Sequence, residues 1–453
     1  MPSTYDVINP ANESIVETVN LLGSEETDAV IAKAAKAFES WKNIAPGERA
    51  RLLRAFSQVV TDHREELAQL EITNSGHTRG NALWEADNVA NTLMYYAAAP
   101  ERLFGRQIPV PGGIDVTFKE PLGVVGVIVP WNFPMPIAGW GFAPALAAGN
   151  TVVLKPAEYT PLTAVRLGEL ALKAGIPEGV FNVVVGKGSI VGNRFVTHPK
   201  VRKIVFTGST EVGKQIMAGC ADQVKRVTLE LGGKSANIIF ADSDIERAAA
   251  AAPGAVFDNA GQDCCARSRI LVEKSAFDKF MSAFETAVKK FRVEEPSLAT
   301  AEMGPLISKK QLDSVQAYLN EPVAFTGSAP TGAGYWMAPT VLIPKDTKAK
   351  SWNEEIFGPV VSVMTFDDEA DAIKKANDTE FGLSGSIWTN NSGKAIRVAR
   401  EVESGNLSVN SNSSVRYWTP FGGYKQSGLG RELGPDALDS FTEVKNVFIA
   451  TDN

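Results

Sequence analysis

The run Val124-Val125-Gly126-Val127-Ile128-Val129 is short, apolar and rich in β-branched residues, and it opens the segment that decides the fold. Similar runs follow at 151–154, 180–185, 203–206 and 236–240. Segments of helical character separate them, at 136–148, 161–174, 189–196 and 211–221. Strands that alternate with helices at this spacing predict right-handed βαβ units and a parallel sheet buried on both faces. Such a sheet binds ligands beyond the carboxyl ends of its strands.

A second series of strands and helices follows the first. Its strands are predicted at 269–272, 360–366, 384–388 and 406–409. Two α/β units in tandem predict a cleft between them, which is a common place for a small ligand. We therefore expect an α/β fold with two tandem Rossmann-like domains.

Regions outside this alternation also have patterns that predict helices and a hairpin. Helices are predicted over 25–41, with Ser24 as the N-cap, over 46–70, and from Trp84 to the alanines at 97–99. The stretch 110–119 is predicted to form a tight hairpin, with Pro111-Gly112-Gly113 as its turn.

Length and composition exclude several classes of protein. The chain has 453 residues, 44% apolar and 21% charged, which suits a folded protein of about two to four domains. Its net charge of −7 argues against nucleic acid or an anionic membrane as the main partner. The most apolar stretch, Ile137–Ala148, is shorter than the roughly 20 residues that span a bilayer, so it is predicted to be a buried element. Residues 1–20 contain no Lys or Arg and no long apolar run, so we expect no signal peptide and a cytoplasmic location.

Histidine and cysteine are scarce, and their positions limit the metal sites and disulfides that the chain can form. His63, His77 and His198 are far apart, and none has a second His or Cys at the spacing of a zinc ligand set, so no metal site is predicted. Three cysteines are an odd number in a long chain, which favours a reducing compartment over a disulfide framework. Of the three, Cys220 is predicted to be a core residue.

Two glycine-rich clusters follow predicted strands. The cluster Gly186–Gly192 is one residue too long for the G-x-G-x-x-G fingerprint. The cluster Gly208–Lys214 nearly matches a P-loop, but Gln215 stands where Ser or Thr must reach magnesium, so an ATPase is rejected. Either both clusters are simple tight turns, or one helix N-terminus binds a pyrophosphate through exposed N–H groups.

An acidic residue follows the strand at 151–154, in Lys155-Pro156-Ala157-Glu158. A carboxylate at this place can accept hydrogen bonds from ribose hydroxyls, and it would repel a 2′-phosphate, which favours NAD over NADP. A solvated Lys–Glu pair is the alternative interpretation.

Two of the cysteines, Cys264 and Cys265, lie in the stretch 257–266. A free Cys is most often a small buried apolar residue, and a catalytic one needs a lowered pKa or a nearby base. No His lies near in sequence, which disfavours a Cys–His dyad, and adjacent cysteines form a disulfide only with strain. The other candidate base is Glu230, in an apolar strand that ends in two glycines. Apolar neighbours raise the pKa of a carboxyl toward that of a useful general base, although a half-exposed strand residue would look the same.

Together these fragments resemble the NAD(P)-dependent aldehyde dehydrogenase superfamily, along essentially the whole chain. Leu229-Glu230-Leu231-Gly232-Gly233-Lys234 is similar to the family's glutamate motif, and Gly261-Gln262-Asp263-Cys264 to its cysteine motif. Further motifs occur in the family's order: Pro130-Trp131-Asn132-Phe133-Pro134, Lys155-Pro156-Ala157-Glu158, Phe206-Thr207-Gly208-Ser209, Glu354-Glu355-Ile356-Phe357-Gly358-Pro359 and Pro420-Phe421-Gly422-Gly423-Tyr424-Lys425-Gln426-Ser427-Gly428.

The resemblance implies catalysis by a cysteine. Cys264 would attack the aldehyde carbonyl as a thiolate, and the side chain of Asn132 with the backbone N–H of Cys264 would hold the oxyanion. After hydride transfer to the nicotinamide, Glu230 would activate water to hydrolyse the thioester. Glu432 matches a second glutamate of the family and is expected to relay protons, with a plain surface role as the alternative.

The resemblance also implies NAD as the cofactor. The pyrophosphate would lie near Ser209 and the helix that opens at Gly208–Gly213, the adenosine ribose at Lys155 and Glu158, and the nicotinamide ribose at Glu355 and Phe357. The cofactor-binding residues expected in this way are Val129, Trp131 (through its carbonyl), Asn132, Lys155, Glu158, Gly188 (beside the adenine), Gly208, Ser209, Gly213, Leu231, Glu355 and Phe357.

A substrate tunnel is implied as well. Its expected lining residues are Phe133, Ile137, Trp140, Asp258, Asp263, Cys265, Val415 and Phe421. Tyr417 and Trp418 are expected near its mouth, unless these aromatic residues only pack. The two aspartates favour a cationic substrate such as an aminoaldehyde or betaine aldehyde, whereas Arg416 favours the carboxylate of a semialdehyde. The sequence leaves the choice open.

The chain departs from the family pattern in two places. Gly141 follows Trp140 where the family often has Lys or another polar residue, so no proton relay is expected there. The stretch Tyr5–Pro10 resembles one that usually follows a first pair of strands, so the usual N-terminal contacts are not expected.

The resemblance divides the chain into three parts. It places an NAD-binding domain at 1–101 and 123–232, a catalytic domain at 233–433, and a small β oligomerisation element at 102–122 and 434–453. A homodimer or homotetramer is then expected.

Three functions are compatible with the motifs and with the resemblance. The leading one is the NAD-dependent, hydrolytic oxidation of an aldehyde to its carboxylic acid. A CoA-acylating semialdehyde dehydrogenase is disfavoured because Glu230 supplies a base for water. A non-catalytic structural or binding protein is disfavoured because it would not require Cys264, Asn132 and Glu230 together.

Overall fold

The computed structural model describes residues 3–413 and 415–451. The α-helices in this part of the chain are α1 (Ser24–Trp41), α2 (Pro46–Asp62), α3 (Arg64–Ser75), α4 (Arg79–Ala97), α5 (Pro134–Ala147), α6 (Leu162–Lys173), α7 (Asn193–Thr197), α8 (Thr210–Ala221), α9 (Ile245–Phe257), α10 (Phe277–Lys290), α11 (Lys309–Gln316), α12 (Lys350–Asn353), α13 (Glu369–Asn377) and α14 (Ser392–Glu401). The strands are β1 (Ser3–Ile8), β2 (Ile15–Leu21), β3 (Gln107–Val110), β4 (Gly113–Pro121), β5 (Val124–Ile128), β6 (Thr151–Lys155), β7 (Phe181–Val183), β8 (Val201–Thr207), β9 (Arg226–Glu230), β10 (Ala236–Ile239), β11 (Arg269–Glu273), β12 (Val323–Thr326), β13 (Thr340–Leu342), β14 (Val360–Phe366), β15 (Phe381–Gly382), β16 (Ser384–Trp388), β17 (Asn406–Val409), β18 (Tyr424–Lys425), β19 (Gly428–Leu429) and β20 (Thr442–Ala450).

Four of the five strands of the first alternation, β5 to β8, lie in a six-stranded sheet in the order β19-β9-β8-β5-β6-β7. The fifth, predicted at 236–240, is β10 and belongs to the second sheet instead. The pairs from β9 to β7 are parallel, and β19 pairs antiparallel with β9. Every residue of β5 and β6 is buried, as expected for a parallel sheet covered on both faces. Because β5 lies between β6 and β8, the loop after β5 opens at the switch point of the sheet, where ligands bind.

The second series forms a seven-stranded sheet in the order β12-β13-β14-β11-β10-β16-β17. All four strands predicted there are present. The sheet is parallel except at its edge, where β12 pairs antiparallel with β13. The predicted α/β class with two parallel sheets is therefore confirmed.

A separate three-stranded sheet contains the predicted hairpin. Val110 pairs with Gly113, so β3 and β4 are joined by Pro111 and Gly112, and the hairpin extends beyond the predicted 110–119. β20 lies along the whole of β4, from Thr442 opposite Pro121 to Ala450 opposite Gly113. The two segments proposed for oligomerisation thus share one sheet, although residues 452 and 453 lie outside the described residues. A further antiparallel pair, β1 with β2, was not predicted.

Two helix starts differ from the prediction. The N-cap of α1 is Gly23 rather than Ser24, because the carboxylate of Glu26 accepts the N–H of Gly23 at 3.0 Å and fixes the first turn one residue earlier. α4 begins before Trp84, since the hydroxyl of Thr78 caps it by accepting a backbone N–H at 3.4 Å.

Two predicted helices are interrupted. The helix expected over 46–70 is divided into α2 and α3 at His63, whose backbone (φ −107°, ψ 17°) leaves the helical region. The His63 ring instead lies 2.7 Å from the carbonyl oxygen of Val59. The helix expected over 189–196 begins with a π turn at 188–192, and regular α geometry starts only at Asn193.

The apolar stretch 137–148 lies in α5, and every residue of α5 is buried. This confirms the prediction of a core element. Among the described residues, none of the helices has the length and apolarity needed to cross a membrane. Cys220 lies on α8 and is also buried, in the apolar cluster that α8 shares with the first sheet.

Candidate active site

The turn that precedes Cys264 has a strained backbone. Asn259, Ala260 and Gly261 have φ of 50°, 55° and 69° in succession, a region that residues with a Cβ rarely adopt. A Cβ on Gly261 would lie 2.1 Å from the carbonyl oxygen of Gly358, so only glycine fits there. Strain of this kind persists where the surrounding structure over-determines it, and it is common at functional sites.

Asn132 is held against this turn by hydrogen bonds in both directions. Its Nδ2 donates to the carbonyl of Gln262 at 3.0 Å, and its own carbonyl accepts from Asn259 Nδ2 at 2.7 Å. A carboxamide nitrogen carries two hydrogens, so the second is left for a ligand oxygen. Since Asn132 follows β5, the switch point of the first sheet places it beside Cys264.

Glu230 ends β9 with a buried carboxyl group. Neither of its oxygens has a hydrogen-bond partner among the residues that the structure describes. Burial, followed by the charge of Glu432, raises the pKa of Glu230 well above its usual range. This is the direction expected for a carboxyl group in an apolar strand.

Glu432 is buried rather than at the surface, so the plain surface alternative is wrong. Burial raises the pKa of Glu432 to about 8, and nearby Lys203 lowers it. The Lys203 ammonium is buried too; it donates to Thr228 Oγ1 at 2.7 Å, and burial lowers its pKa to about 8. Lys203 was not among the predicted site residues. The one signal in the sequence was a lysine within a short apolar strand.

Cys264 is not activated by a lowered pKa. A hydrogen bond with the Cys265 side chain and then burial raise the pKa of Cys264 well above its usual range. Glu230 lines the same cavity as Cys264.

The larger of two cavities that meet at Cys264 has a volume of about 440 Å³. It is lined by Asn81, Trp84, Phe133, Pro136, Ile137, Trp140, Thr207, Glu230, Asp258, Asp263, Cys264, Cys265, Arg267, Asn412, Ser413, Val415 and Phe421. All eight residues expected in the substrate tunnel are among them. Asn81 and Trp84 were missed because they belong to no motif.

Arg416, Tyr417 and Trp418 do not line this cavity, although each was considered as a contact for the substrate. Tyr417 packs its ring against Tyr95 at 5.8 Å, and Trp418 packs against Tyr417 at 4.5 Å. Arg416 is exposed. Arg416 does not line this cavity, so its contact with a substrate carboxylate stays a prediction.

The smaller cavity has a volume of about 240 Å³. Its lining residues are Pro130, Trp131, Asn132, Thr207, Gly208, Ser209, Leu231, Gly232, Cys264, Glu355 and Phe357. Glu355 Oε1 accepts the N–H of Gly233 at 2.8 Å, and burial raises the pKa of Glu355 to about 7. Phe357 adopts φ of 55° and sets its ring 5.3 Å from that of Trp131. Seven of the predicted cofactor residues meet here.

Three further predicted cofactor residues form a cluster of their own. Glu158 Oε1 accepts the backbone N–H of Gly188 at 3.0 Å, and the buried Lys155 Nζ lies 3.4 Å from Glu158 Oε2. Among the described residues, no atom lies within 4 Å of a Cβ placed on Gly188, so the space beside this residue is open. Ser209 caps α8 and leaves the helix N-terminus at the smaller cavity, an arrangement that fits a phosphate.

Val129 and Gly213 do not line the smaller cavity. Val129 is buried. A Cβ on Gly213 would lie 2.4 Å from Leu231 Cδ2, so glycine lets α8 pack against the loop that carries Leu231. Close packing also explains why glycine stands at position 141. A Cβ on Gly141 would lie 2.7 Å from Val127 Cγ1, and a longer polar side chain does not fit.

A thiol where two cavities meet, with a carboxylate in one cavity and a carboxamide in the other, at the edge of a doubly covered parallel sheet, is typical of an oxidoreductase that works through a cysteine. A sequence model described as the aldehyde dehydrogenase family matches residues 1–447, and the chain belongs to that family. This confirms the resemblance found in the sequence.

Individual relatives agree with this assignment. The chain is 41% identical to an aldehyde dehydrogenase of Emericella nidulans, over 98% of this chain and 91% of that protein. It is 38% identical to the betaine aldehyde dehydrogenase of Bacillus subtilis, over 98% of this chain and 93% of that protein. The crystal structure of betaine aldehyde dehydrogenase from Staphylococcus aureus in complex with NAD+ superposes with a TM-score of 0.97 at 39% identity, over 100% of this chain and 92% of that one.

Proposed function

We propose that this protein oxidises an aldehyde to its carboxylic acid with NAD, through a thioester on Cys264. One observation carries the proposal: Cys264 lies where the two cavities meet, with Glu230 in the larger and Asn132 in the smaller. An aldehyde in the larger cavity can then reach the thiol and a nicotinamide in the smaller one at the same time.

The first step is acylation of the cysteine. Glu230 takes the proton of the Cys264 thiol, and the sulfur forms a bond to the aldehyde carbon. The carbonyl oxygen becomes an oxyanion and accepts the second N–H of Asn132 Nδ2, because the first is used by Gln262. One such donor typically stabilises the transition state by about 2.7–4 kcal/mol.

When bound, NAD would supply the hydride acceptor that converts the thiohemiacetal on Cys264 to a thioester. Glu355 would hold the nicotinamide ribose, and the N-terminus of α8 at Ser209 would hold the pyrophosphate. Glu158, fixed by Gly188 and Lys155, would accept hydrogen bonds from the adenosine ribose and repel a 2′-phosphate.

The second step is hydrolysis of the thioester. The proton that Glu230 took from the thiol first leaves toward solvent by way of Glu432, which restores the Glu230 carboxylate. Glu230 then takes a proton from water, whose oxygen attacks the thioester carbon, and it gives that proton to the departing Cys264 sulfur. Glu432 and Lys203 lie behind Glu230 and supply titratable groups for the departure of the proton.

We further infer that the aldehyde carries a positive charge. Asp258, Asp263 and Glu230 line the larger cavity, against one cation, Arg267. The Arg267 guanidinium already donates to protein oxygens, including the carbonyl of Cys265 at 2.6 Å. Asp258 is positioned by Asn81 Nδ2 at 2.7 Å and faces the cavity, which makes it the counter-ion for a substrate ammonium group.

The experiment is to measure NADH formation with amino, quaternary ammonium, carboxyl, aliphatic and aromatic aldehydes. Each is repeated with NADP and with CoA. The proposal expects NADH and free acid, fastest with a cationic aldehyde and independent of CoA. Activity that requires CoA favours the acylating alternative, and no activity with any aldehyde favours the non-catalytic one.

We also infer a homo-oligomer in a reducing cytoplasm. The sheet of β3, β4 and β20 exposes Ile114, Phe118 and Phe448, each to between 42% and 52%, and exposed apolar side chains on one sheet favour a protein interface. The three cysteines are free, which suits a reducing compartment. Light-scattering mass in solution tests the assembly, and a monomer contradicts it.

A further inference from the structure

Asn259 lies in the strained turn before Cys264, and its side chain reaches the peptide group that carries Asn132. The residue is 5% exposed and has φ of 50° and ψ of 37°. Asparagine adopts this left-handed region more readily than most residues with a Cβ. Glycine would adopt it at least as well, so the backbone conformation does not by itself require a carboxamide.

The carboxamide of Asn259 bridges two backbone carbonyl groups. Its Nδ2 donates to the carbonyl of Asn132 at 2.7 Å and to that of Gln262 at 3.4 Å. Because both neighbours are acceptors, the nitrogen and not the oxygen of the carboxamide has to face them. The same carbonyl of Gln262 accepts Asn132 Nδ2 at 3.0 Å. Asn259 therefore contacts both the peptide group of Asn132 and the acceptor that holds the Asn132 side chain.

The turn around Asn259 is held in place by further hydrogen bonds. The backbone N–H of Asn259 donates to Asp258 Oδ1 at 3.0 Å, and its carbonyl accepts Gln262 Nε2 at 3.1 Å. Gln262 Oε1 accepts the backbone N–H of Ile307 at 2.9 Å, which ties the turn to the segment before α11.

The three carboxamide side chains of this network are buried. Asn132, Asn259 and Gln262 are each at most 5% exposed. A buried donor or acceptor that loses its partner is costly, because water cannot replace the partner. Hydrogen-bond networks of this kind therefore hold their members in one arrangement.

We propose that Asn259 is a positioning residue for the oxyanion hole: its carboxamide fixes the peptide group of Asn132 against the carbonyl of Gln262, so that the second N–H of Asn132 Nδ2 faces the aldehyde oxygen. The inference rests on the proposed function, since it gives Asn259 a part in acylation. A misplacement of about 1 Å can cost as much as 100-fold in rate. Because the bond from Asn132 to Gln262 would remain, loss of the Asn259 side chain is expected to slow acylation about tenfold, less than loss of the Asn132 donor itself.

The first test is the acylation rate of Asn259→Gly, measured as the single-turnover NADH burst of the full-length enzyme. Glycine adopts a positive φ without strain, so the substitution removes the carboxamide and leaves the turn free to keep its backbone conformation. We expect a burst about tenfold slower than that of the wild type, with the Kd for NAD changed less than about twofold. An unchanged burst would overturn the proposal, because the turn would then need only its left-handed backbone.

Asn182→Gly is the matched control. Asn182 Nδ2, in β7, also donates to two backbone carbonyls, those of Val152 at 3.1 Å and Gly179 at 2.7 Å. Asn182 is not among the residues that line either cavity. We expect this variant to lose thermal stability but to keep the wild-type burst. An equal loss of burst rate in both variants would mean that Asn259→Gly acts through general stability, which contradicts the positioning role.

The second test is a double-mutant cycle with Asn132→Ala. If Asn259 acts through Asn132, adding Asn259→Gly to Asn132→Ala should slow acylation less than about twofold further. Losses that multiply would refute the proposal. If Asn259→Gly does not fold, Asn259→Asp replaces it in the cycle with the same outcomes, since aspartate keeps the size of asparagine but presents an acceptor to the two carbonyls. Absence of a burst in the wild type would instead contradict the proposed function.

Discussion

Gly233 lies directly against Cys264: a Cβ added to Gly233 would lie 2.1 Å from the carbonyl oxygen of Cys264. The segment that follows Glu230 therefore touches the peptide group of Cys264. Gly232 allows a similar approach, since a Cβ there would lie 2.4 Å from Glu355 Oε2. Glycine at both positions thus permits the contacts that this segment makes with Cys264 and Glu355.

Gly233→Ala should consequently displace Cys264. We expect acylation to slow by about 100-fold, because displacements near 1 Å have that effect, and the thermal midpoint to fall. The control is Gly254→Ala in α9, where nothing lies within 4 Å of the added Cβ. An active Gly233→Ala enzyme would show that this contact does not determine the position of Cys264.

Asp258→Asn should alter the choice of substrate. The change removes a negative charge but keeps a side chain that Asn81 can contact. We expect kcat/KM for a cationic aldehyde to fall about 10- to 100-fold, in line with the roughly 1.5–3 kcal/mol of a charged hydrogen bond, while a neutral aldehyde of equal size is nearly unaffected. Asp62→Asn, an exposed position on α2, is the control. Equal losses for both aldehydes would argue against Asp258 as a counter-ion.

Glu158→Ser should relax the selection against NADP. Removal of the carboxylate that Gly188 and Lys155 hold takes away both the ribose acceptor and the repulsion of a 2′-phosphate. We expect the ratio of kcat/KM for NAD to that for NADP to fall at least tenfold. Glu178→Ser removes an exposed carboxylate paired with Lys33 and should leave the ratio unchanged. A constant ratio in Glu158→Ser would refute the ribose assignment.

Glu432→Gln should shift the pH dependence of thioester hydrolysis. The carboxylate form of Glu230 is required, so the rate rises with pH through the pKa of Glu230. The charge of Glu432 raises that pKa; without it, the rise should move to lower pH by about one unit, the scale on which neighbouring carboxyl groups interact. The measurement is the hydrolysis rate of a preformed thioester against pH, with the exposed Glu401→Gln as control. An unmoved profile would mean that Glu432 does not interact with Glu230 in solution.

The sequence was most informative where local pattern and structure coincide. β5 and β6 are buried along their whole length, so they appear as continuous apolar runs. β1 and β2 were not predicted because they are largely exposed and their side chains alternate only weakly. The break at His63 depends on a side-chain contact with Val59 that competes with the helix, and composition does not show such a contact.

The site was predictable where a motif exists and not elsewhere. Glu230, Cys264 and Asn132 belong to motifs, and the structure brings them together. Asn81 contacts Asp258 across 177 positions of the chain, and such a long-range contact leaves no local pattern. The same holds for Lys203, which tertiary packing alone places near Glu432.

The central claim is that Cys264 carries the acyl group and that Glu230 releases it. The most direct test is mass spectrometry of Glu230→Gln after one turnover with NAD and an aldehyde substrate. We predict one equivalent of NADH and an acyl adduct on the peptide that contains Cys264, absent in Cys264→Ala although that variant still binds NAD. NADH formation without an adduct on Cys264, or full activity in Cys264→Ala, would contradict the account.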